Sequence, residues 1–326
     1  MPLFRRWIVR LLACGAAGAL ALGLGGCRGS NPATAAETSQ PTATQPTPLP
    51  GAGKPPVTIG DKNYTEQFIL GELYYEALEA EGFSVQLNKN IGAPAVTMQA
   101  LQTGQLDMYP EYLNIWNSSI AGYSRNFTTL SSAYAAAQTY AATHGLTLLN
   151  PTQFSDTDAI GVTVSYAAQN RLRTIGDLRK VAPTLTLGAP LQFQQDPLPQ
   201  LEQAYGFQPA AFKTLEIGQQ YEALDHDAVQ AAGVMTTDGE LTTGNYTLLT
   251  DPLKVFGVGN VVPVVSSQTL TTEGPAFAAT INRVSALLTL PVIRELNAEV
   301  DISGQDPGAV AKQFLTDHGV VPATSS

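Results

Sequence analysis

From Val57 onward the chain alternates short apolar runs with amphipathic stretches, and glycine, proline and asparagine punctuate them. Val57 to Gly60 reads as a short buried strand. Asn63 and Glu66 have capping-box spacing, with Asn63 as N-cap. Ile69, Leu73 and Ala77 then recur at helical spacing until Gly82 stops the helix. Val85 and Leu87 alternate as a strand, Pro94 opens a helix that Gly104 ends, and apolar Leu106 to Tyr109 follows. Further on, an alanine-rich helix runs from about Ser131 to His144. Ala159 to Val164, Thr184 to Leu187 and Val261 to Val265 read as strands. An amphipathic helix covers about Pro275 to Leu288, and Asp306-Pro307 caps a last helix closed by Gly319. This alternation predicts α/β lobes with mostly parallel sheets covered on both faces.

The residues before Val57 follow different rules. Arg5, Arg6 and Arg10 precede or interrupt an apolar stretch ending in Leu24-Gly25-Gly26-Cys27, which is the layout of a secretory signal and short for a membrane span. The Leu-Gly-Gly-Cys run resembles the bacterial lipoprotein signal, which implies cleavage before Cys27 and lipid on its sulfur. An ordinary signal peptide cut elsewhere is the alternative. Residues 28–56 hold seven prolines among Thr, Ala, Ser, Gln and Gly, a composition expected to form an extended tether. Loss of residues 1–26 removes three arginines and no acids, moving the formal net charge from −10 to −13. So acidic a domain is a poor partner for nucleic acid or an anionic membrane surface. With Cys14 lost and Cys27 lipidated, no disulfide is expected.

Catalytic groupings are thin. The chain has no Gly-x-Ser-x-Gly elbow, phosphate loop or His-Glu-x-x-His motif. His144, His226 and His318 fall near element ends, and Asp225-His226-Asp227 reads as a solvated turn as readily as a metal site. Gly257-Val-Gly259 lacks the third glycine of a dinucleotide loop. No metal, cofactor or catalytic residue is expected.

Four stretches carry a resemblance. They are Gly60-Asp-Lys62-Asn-Tyr-Thr65-Glu66-Gln67, Gly104-Gln-Leu-Asp107-Met-Tyr109-Pro110-Glu111-Tyr112, Tyr221-Glu-Ala-Leu and Thr236-Thr237-Asp238-Gly239. In this order, with the tail from Leu296-Asn297 to Phe314-Leu315, they resemble the osmoprotectant-binding lipoproteins of ABC importers, the glycine betaine, choline and carnitine family. The resemblance spans Val57 to Val320 and implies a two-lobed fold of the periplasmic-binding-protein type II kind, with the ligand in a cleft between lobes. It implies one lobe from 57–156 plus 237–326 and another from 157–236. Its implied partners are a small cationic or zwitterionic amine, an ABC permease with its ATPase, and the membrane through Cys27. Its location is extracytoplasmic, on the outer face or in a periplasm, and nothing suggests a stable oligomer.

In that family a box of tyrosines holds the quaternary ammonium, while a lysine, a threonine and an arginine hold a carboxylate. A quaternary ammonium has no hydrogen to donate, so aromatic faces are its natural partners. By this resemblance Tyr112 and Tyr221 occupy box positions and Lys62 the lysine position. The other two box positions hold Asp158 and Met235. The segment Gln192 to Pro197 lacks the arginine, and the expected Thr-Gly-Thr after Tyr112 is Leu113-Asn114-Ile115, with Trp116 next. Gln192, Ile115 and Trp116 complete the candidate site, Trp116 as a replacement aromatic face. An aspartate gained and an arginine lost favour a cation such as choline over glycine betaine. Two other classes stay open: an enzyme on the same two-lobed fold, using Asp158, Glu111 and Lys62, and a sensor or assembly lipoprotein that has lost transport.

Overall fold

The structure, a computed structural model, describes residues 47–323. Its first sheet has strand order β2-β1-β3-β10-β4, built from β1 (Val57–Gly60), β2 (Val85–Asn88), β3 (Met108–Tyr112), β4 (Leu146–Leu148) and β10 (Val261–Ser266). The second has order β7-β6-β8-β5-β9, from β5 (Asp158–Thr163), β6 (Thr186–Ala189), β7 (Ala211–Thr214), β8 (Ala231–Met235) and β9 (Tyr246–Leu249). Each sheet carries two parallel and two antiparallel pairings, so the expectation of mostly parallel sheets is corrected to mixed ones. The reason lies in the crossings. β10 arrives from the other lobe and runs opposite to β3, so that Val261 faces Tyr112. β5 arrives likewise and opposes β8, so that Asp158 faces Met235.

Helix α1 (Thr65–Ala80) is the spine of the first lobe. Ile69, Leu70, Leu73, Tyr74, Ala77 and Leu78 are fully buried against Phe277, Ile281 and Val284 of α10 (Pro275–Leu287) and Val310, Ala311 and Leu315 of α12 (Pro307–Asp317). The Tyr74 hydroxyl meets Ser285 Oγ at 3.0 Å, pairing its one polar atom. On the other face of the sheet, α2 (Pro94–Gln102) and α4 (Leu130–Thr143) pack with Trp116. Ala133, Ala137 and Ala141 line one side of α4 at four-residue spacing, which permits close approach. Asp306 caps α12 as read from the sequence, accepting from the Ala309 amide at 3.0 Å. The capping box at α1 does not form. Tyr64 is the N-cap without a side-chain bond, and Glu66 instead accepts tertiary hydrogen bonds from Tyr112 and Asn297.

The second lobe has a smaller core, with Ile160, Val162, Leu187, Ala189, Phe193 and Leu201 at its centre. Its helices include α5 (Val164–Asn170), α6 (Leu191–Gln195), α7 (Pro197–Tyr205) and α8 (Gln220–Asp225). Tyr246–Leu249, which the expected division at residue 237 puts with the first lobe, pairs with β5 and completes the second sheet. Between β8 and β9 the chain makes an excursion in which Gly239 packs on the backbone of Ala298, so tightly that a Cβ there would lie 2.6 Å from the Ala298 nitrogen. The crossing segments bind one another. The Thr236 amide donates to the Thr157 carbonyl at 2.9 Å, its hydroxyl donates to the Ser155 carbonyl at 2.8 Å, and Ser155 bridges to Asn260.

Candidate functional site

Both sheets bring strand ends to the crossings. β3 ends at Tyr112 where β10 begins, and β8 ends at Met235 where β5 begins with Asp158. The crevice outside the carboxyl ends of strands, here β3 and β8, is where open α/β folds bind ligands. Next to them lies a cleft of about 540 Å³. Its lining comes from three places: the helical turn after β3 (Asn114, Ile115, Asn117), a loop carrying Arg125 and Phe127, and a group of Asp158, Asp196, Pro197 and Phe256.

Asp158 is half-buried and accepts no hydrogen bond and forms no ion pair among the described residues. Burial, and then the charge of Asp196, pushes its carboxyl from 3.8 up to about 6. Asp196 is exposed and accepts from Gln200 Nε2 at 2.8 Å. Ile115 lines the same cleft. Of the residues singled out from the sequence, the structure brings these two, Asp158 and Ile115, directly into the cleft.

The two tyrosines are not among its lining residues. Tyr112 is buried, donates its hydroxyl to Glu66 at 2.8 Å, and lies 6.0 Å from the half-exposed ring of Tyr64. Tyr221 donates to Asp238 at 2.8 Å and meets the Tyr246 ring edge-on at 4.7 Å. Each hydroxyl is held by an acid, which fixes ring orientation, and both rings are buried, 3% and 7% exposed. The same acids are strained by burial: Asp238 is pushed up to about 7, while burial raises Glu66, and burial plus the Glu66 charge raises Asp156. Met235 is 37% exposed beside them, and its amide donates to Asp238 at 2.9 Å.

Three residues stand differently from expectation. Lys62 is buried with both Glu111 oxygens 2.7 Å from its ammonium, so its charge is already matched inside the protein. Gln192 is exposed on α6 and is absent from the cleft lining. Trp116 is corrected outright: it is 0% exposed, edge-on to Tyr140 at 6.0 Å, and belongs to the core beneath α4. The helical turn after β3 rotates its large apolar side chain inward, and leaves Asn114 and Asn117 toward the cleft. Sequence reasoning missed those two asparagines, as well as Tyr64, Asp196 and Arg125. Tyr64, inside the Lys62 motif, Asn114, in the segment standing for Thr-Gly-Thr, and Asp196, in the Gln192 to Pro197 segment, carried a signal that would have found them. Cys27 lies outside the described residues.

Two α/β lobes joined by crossing segments, with an acid-bearing, aromatic-backed cleft beside the joint, define a periplasmic-binding-protein fold of type II. Residues 55–317 match the family described as the substrate binding domain of ABC-type glycine betaine transport systems, and the chain belongs to that family. The glycine betaine-binding protein YehZ of Escherichia coli K12 is 29% identical over 287 residues, covering 83% of this chain and 93% of the relative. The carnitine transport binding protein OpuCC of Listeria monocytogenes is 25% identical over 280 residues, covering 82% and 88%. Among solved structures, apo YehZ from E. coli superposes with a TM-score of 0.69 at 28% identity over 82% of this chain and 99% of the other. A glycine betaine/carnitine/choline ABC transporter structure gives 0.75 at 23% identity over 81% and 99%, a likeness of fold. The chain is therefore an extracytoplasmic substrate-binding component of an ABC importer of this type, and not an enzyme.

Proposed function

We propose that the protein captures a cationic amine, choline-like in preference to glycine betaine, and delivers it to its permease by closing the two lobes. The observation that carries this reading is Asp158: a half-buried carboxylate in the cleft with no protein partner, and Asp196 beside it. An unpaired anion in a partly dry cleft is costly until a cation arrives, so it favours a positive ligand over one that brings a carboxylate. Tyr112 and Tyr221, with Tyr64 and Met235, supply aromatic and polarisable surface for alkylated nitrogen, each aromatic contact contributing about 0.5–2 kcal/mol. Lys62, neutralised by Glu111, adds little pull on a carboxylate. The names of YehZ and OpuCC, a glycine betaine and a carnitine binder, support the ligand class. We further propose lobes at 57–156 with the C-terminal segment and at 157–236 extended to include Tyr246–Leu249, and anchoring through lipid on Cys27. A tethered domain meets its permease at high effective concentration.

Isothermal titration of choline and glycine betaine tests the ligand assignment. Choline binds more tightly, and Asp158→Asn weakens choline by about tenfold, the order expected for losing one charge-assisted contact. Tight betaine binding with no choline binding would sink the assignment.

A further inference from the structure

Asn117 is the least explained polar group at the cleft. It is 3% exposed, on the π-turn Trp116–Ile120 that follows the short helix α3 (Leu113–Ile115). Its Nδ2 donates to the Ala133 carbonyl at 3.1 Å, and a carbonyl can only accept, so the amide orientation is fixed. Its Oδ1 is then buried with no partner, although buried acceptors are nearly always paired. Asn114, three residues earlier and on the same helical face, also lacks a partner at Oδ1. Both residues line the cleft, as do Asp158 and Asp196. The π-turn itself is closed by the Ala121 amide donating to the Trp116 carbonyl at 2.8 Å, a local irregularity of the sort that recurs at functional sites.

Two unpaired amide oxygens and two carboxylates give the cleft lining an acceptor character. The remaining charge, Arg125, sits on the exposed rim with its guanidinium 4.7 Å over the Phe127 ring. A trimethylammonium head has no hydrogen to donate to the two amide oxygens, so these address another part of the ligand, while Asp158 meets the charge. We propose that Asn117 and Asn114 form a second subsite that accepts a hydrogen bond from a hydroxyl or N–H at the far end of a cationic ligand, while Asp196 repels a carboxylate placed there. This rests on the cation-binding reading above and adds what the rest of the ligand must be: a donor-bearing amine. The asparagines set specificity because a donor on the ligand pairs oxygens that otherwise stay buried and unpaired, a gain open only to a donor-bearing ligand.

The test uses three ligands that share the trimethylammonium head and differ at the other end: choline with a hydroxyl, propyltrimethylammonium with a methyl, and glycine betaine with a carboxylate. Titrated into the wild-type protein, choline binds about tenfold more tightly than propyltrimethylammonium, and betaine most weakly. Asn117→Ala and, separately, Asn114→Ala bring the choline-to-propyl ratio toward one, with propyltrimethylammonium affinity within about twofold of wild type. Asn117→Ala also frees the Ala133 carbonyl; should it fail to fold, Asn114→Ala and the wild-type series decide the matter. Equal wild-type affinity for choline and propyltrimethylammonium overturns the subsite while leaving the cation reading intact. So does an unchanged ratio in the variants. Betaine as the tightest of the three, with its carboxylate drawn to Arg125, also overturns it. Failure of all three and of tetramethylammonium to bind removes the cation reading and this inference together.

Discussion

Trp116 and Asn117 are adjacent in sequence and have opposite fates, which shows how finely one turn of helix sorts chemistry. The indole is fully enclosed by α4 and Tyr140, whereas the amide reaches the cleft. Reading Trp116 as an aromatic wall failed because residue type alone does not give the phase of the turn after β3. Tyr112 and Tyr221 show the converse. Their motifs located them near the crossings, but their acids, Glu66 and Asp238, come from residues 46 and 17 positions away, which no local pattern reveals. Trp116→Ala should cost about 3–5 kcal/mol of stability by opening a cavity, with choline affinity of the folded fraction unchanged. Urea unfolding and calorimetry on the same variant measure both. A loss of affinity without loss of stability would return Trp116 to the site.

At the scale of elements, strong periodic signals survived and weak ones did not. The α1 stripe, the proline opening α2 and the Asp306 cap are local devices, and each forms as read. The Asn63–Glu66 capping box was legible as a spacing but lost to tertiary competition, since Glu66 is buried and bonded to Tyr112 and Asn297. β9 was missed because Tyr246 to Leu249 follows a threonine- and glycine-rich turn and pairs only with β5, 83 or more residues earlier in the ladder. Among the crossing segments Gly259 is the tightest point. Its amide donates to Ser155 Oγ at 2.8 Å, and a Cβ there would fall 1.8 Å from the Asp156 carbonyl. Gly259→Ala therefore forces two crossing segments apart, and a loss of about 1–3 kcal/mol follows from overpacking. Chemical denaturation reads it directly; an unchanged midpoint would mean that the crossings separate freely.

The whole molecule carries several buried acids whose protons are held more tightly in the fold than in the free chain. Burial pushes Asp61 and Asp158 up to about 6 and Asp238 up to about 7, from 3.8. As pH falls from about 7 toward 4, the native state takes up protons before the unfolded chain does, so stability rises over that window. Asp177, which Lys180 holds below its ordinary value, acts only at lower pH and does not oppose the trend. The urea midpoint should thus be higher at pH 5 than at pH 7.5, and a midpoint that falls instead would show these carboxylates to be matched by charges or water in solution. Periodicity and short motifs are local, so the α/β class, the helix spine, the motifs shared with betaine-type binding proteins and Asp158 at the head of a strand could be read from the sequence. Tertiary structure decided the mixed sheets, the place of β9, the pairing of Lys62 with Glu111, the burial of Trp116 and the approach of Asn114, Asn117 and Asp196 to one cleft. These depend on which strand enters from the other lobe and on how one helical turn is phased, and both are set by contacts between residues far apart in the chain.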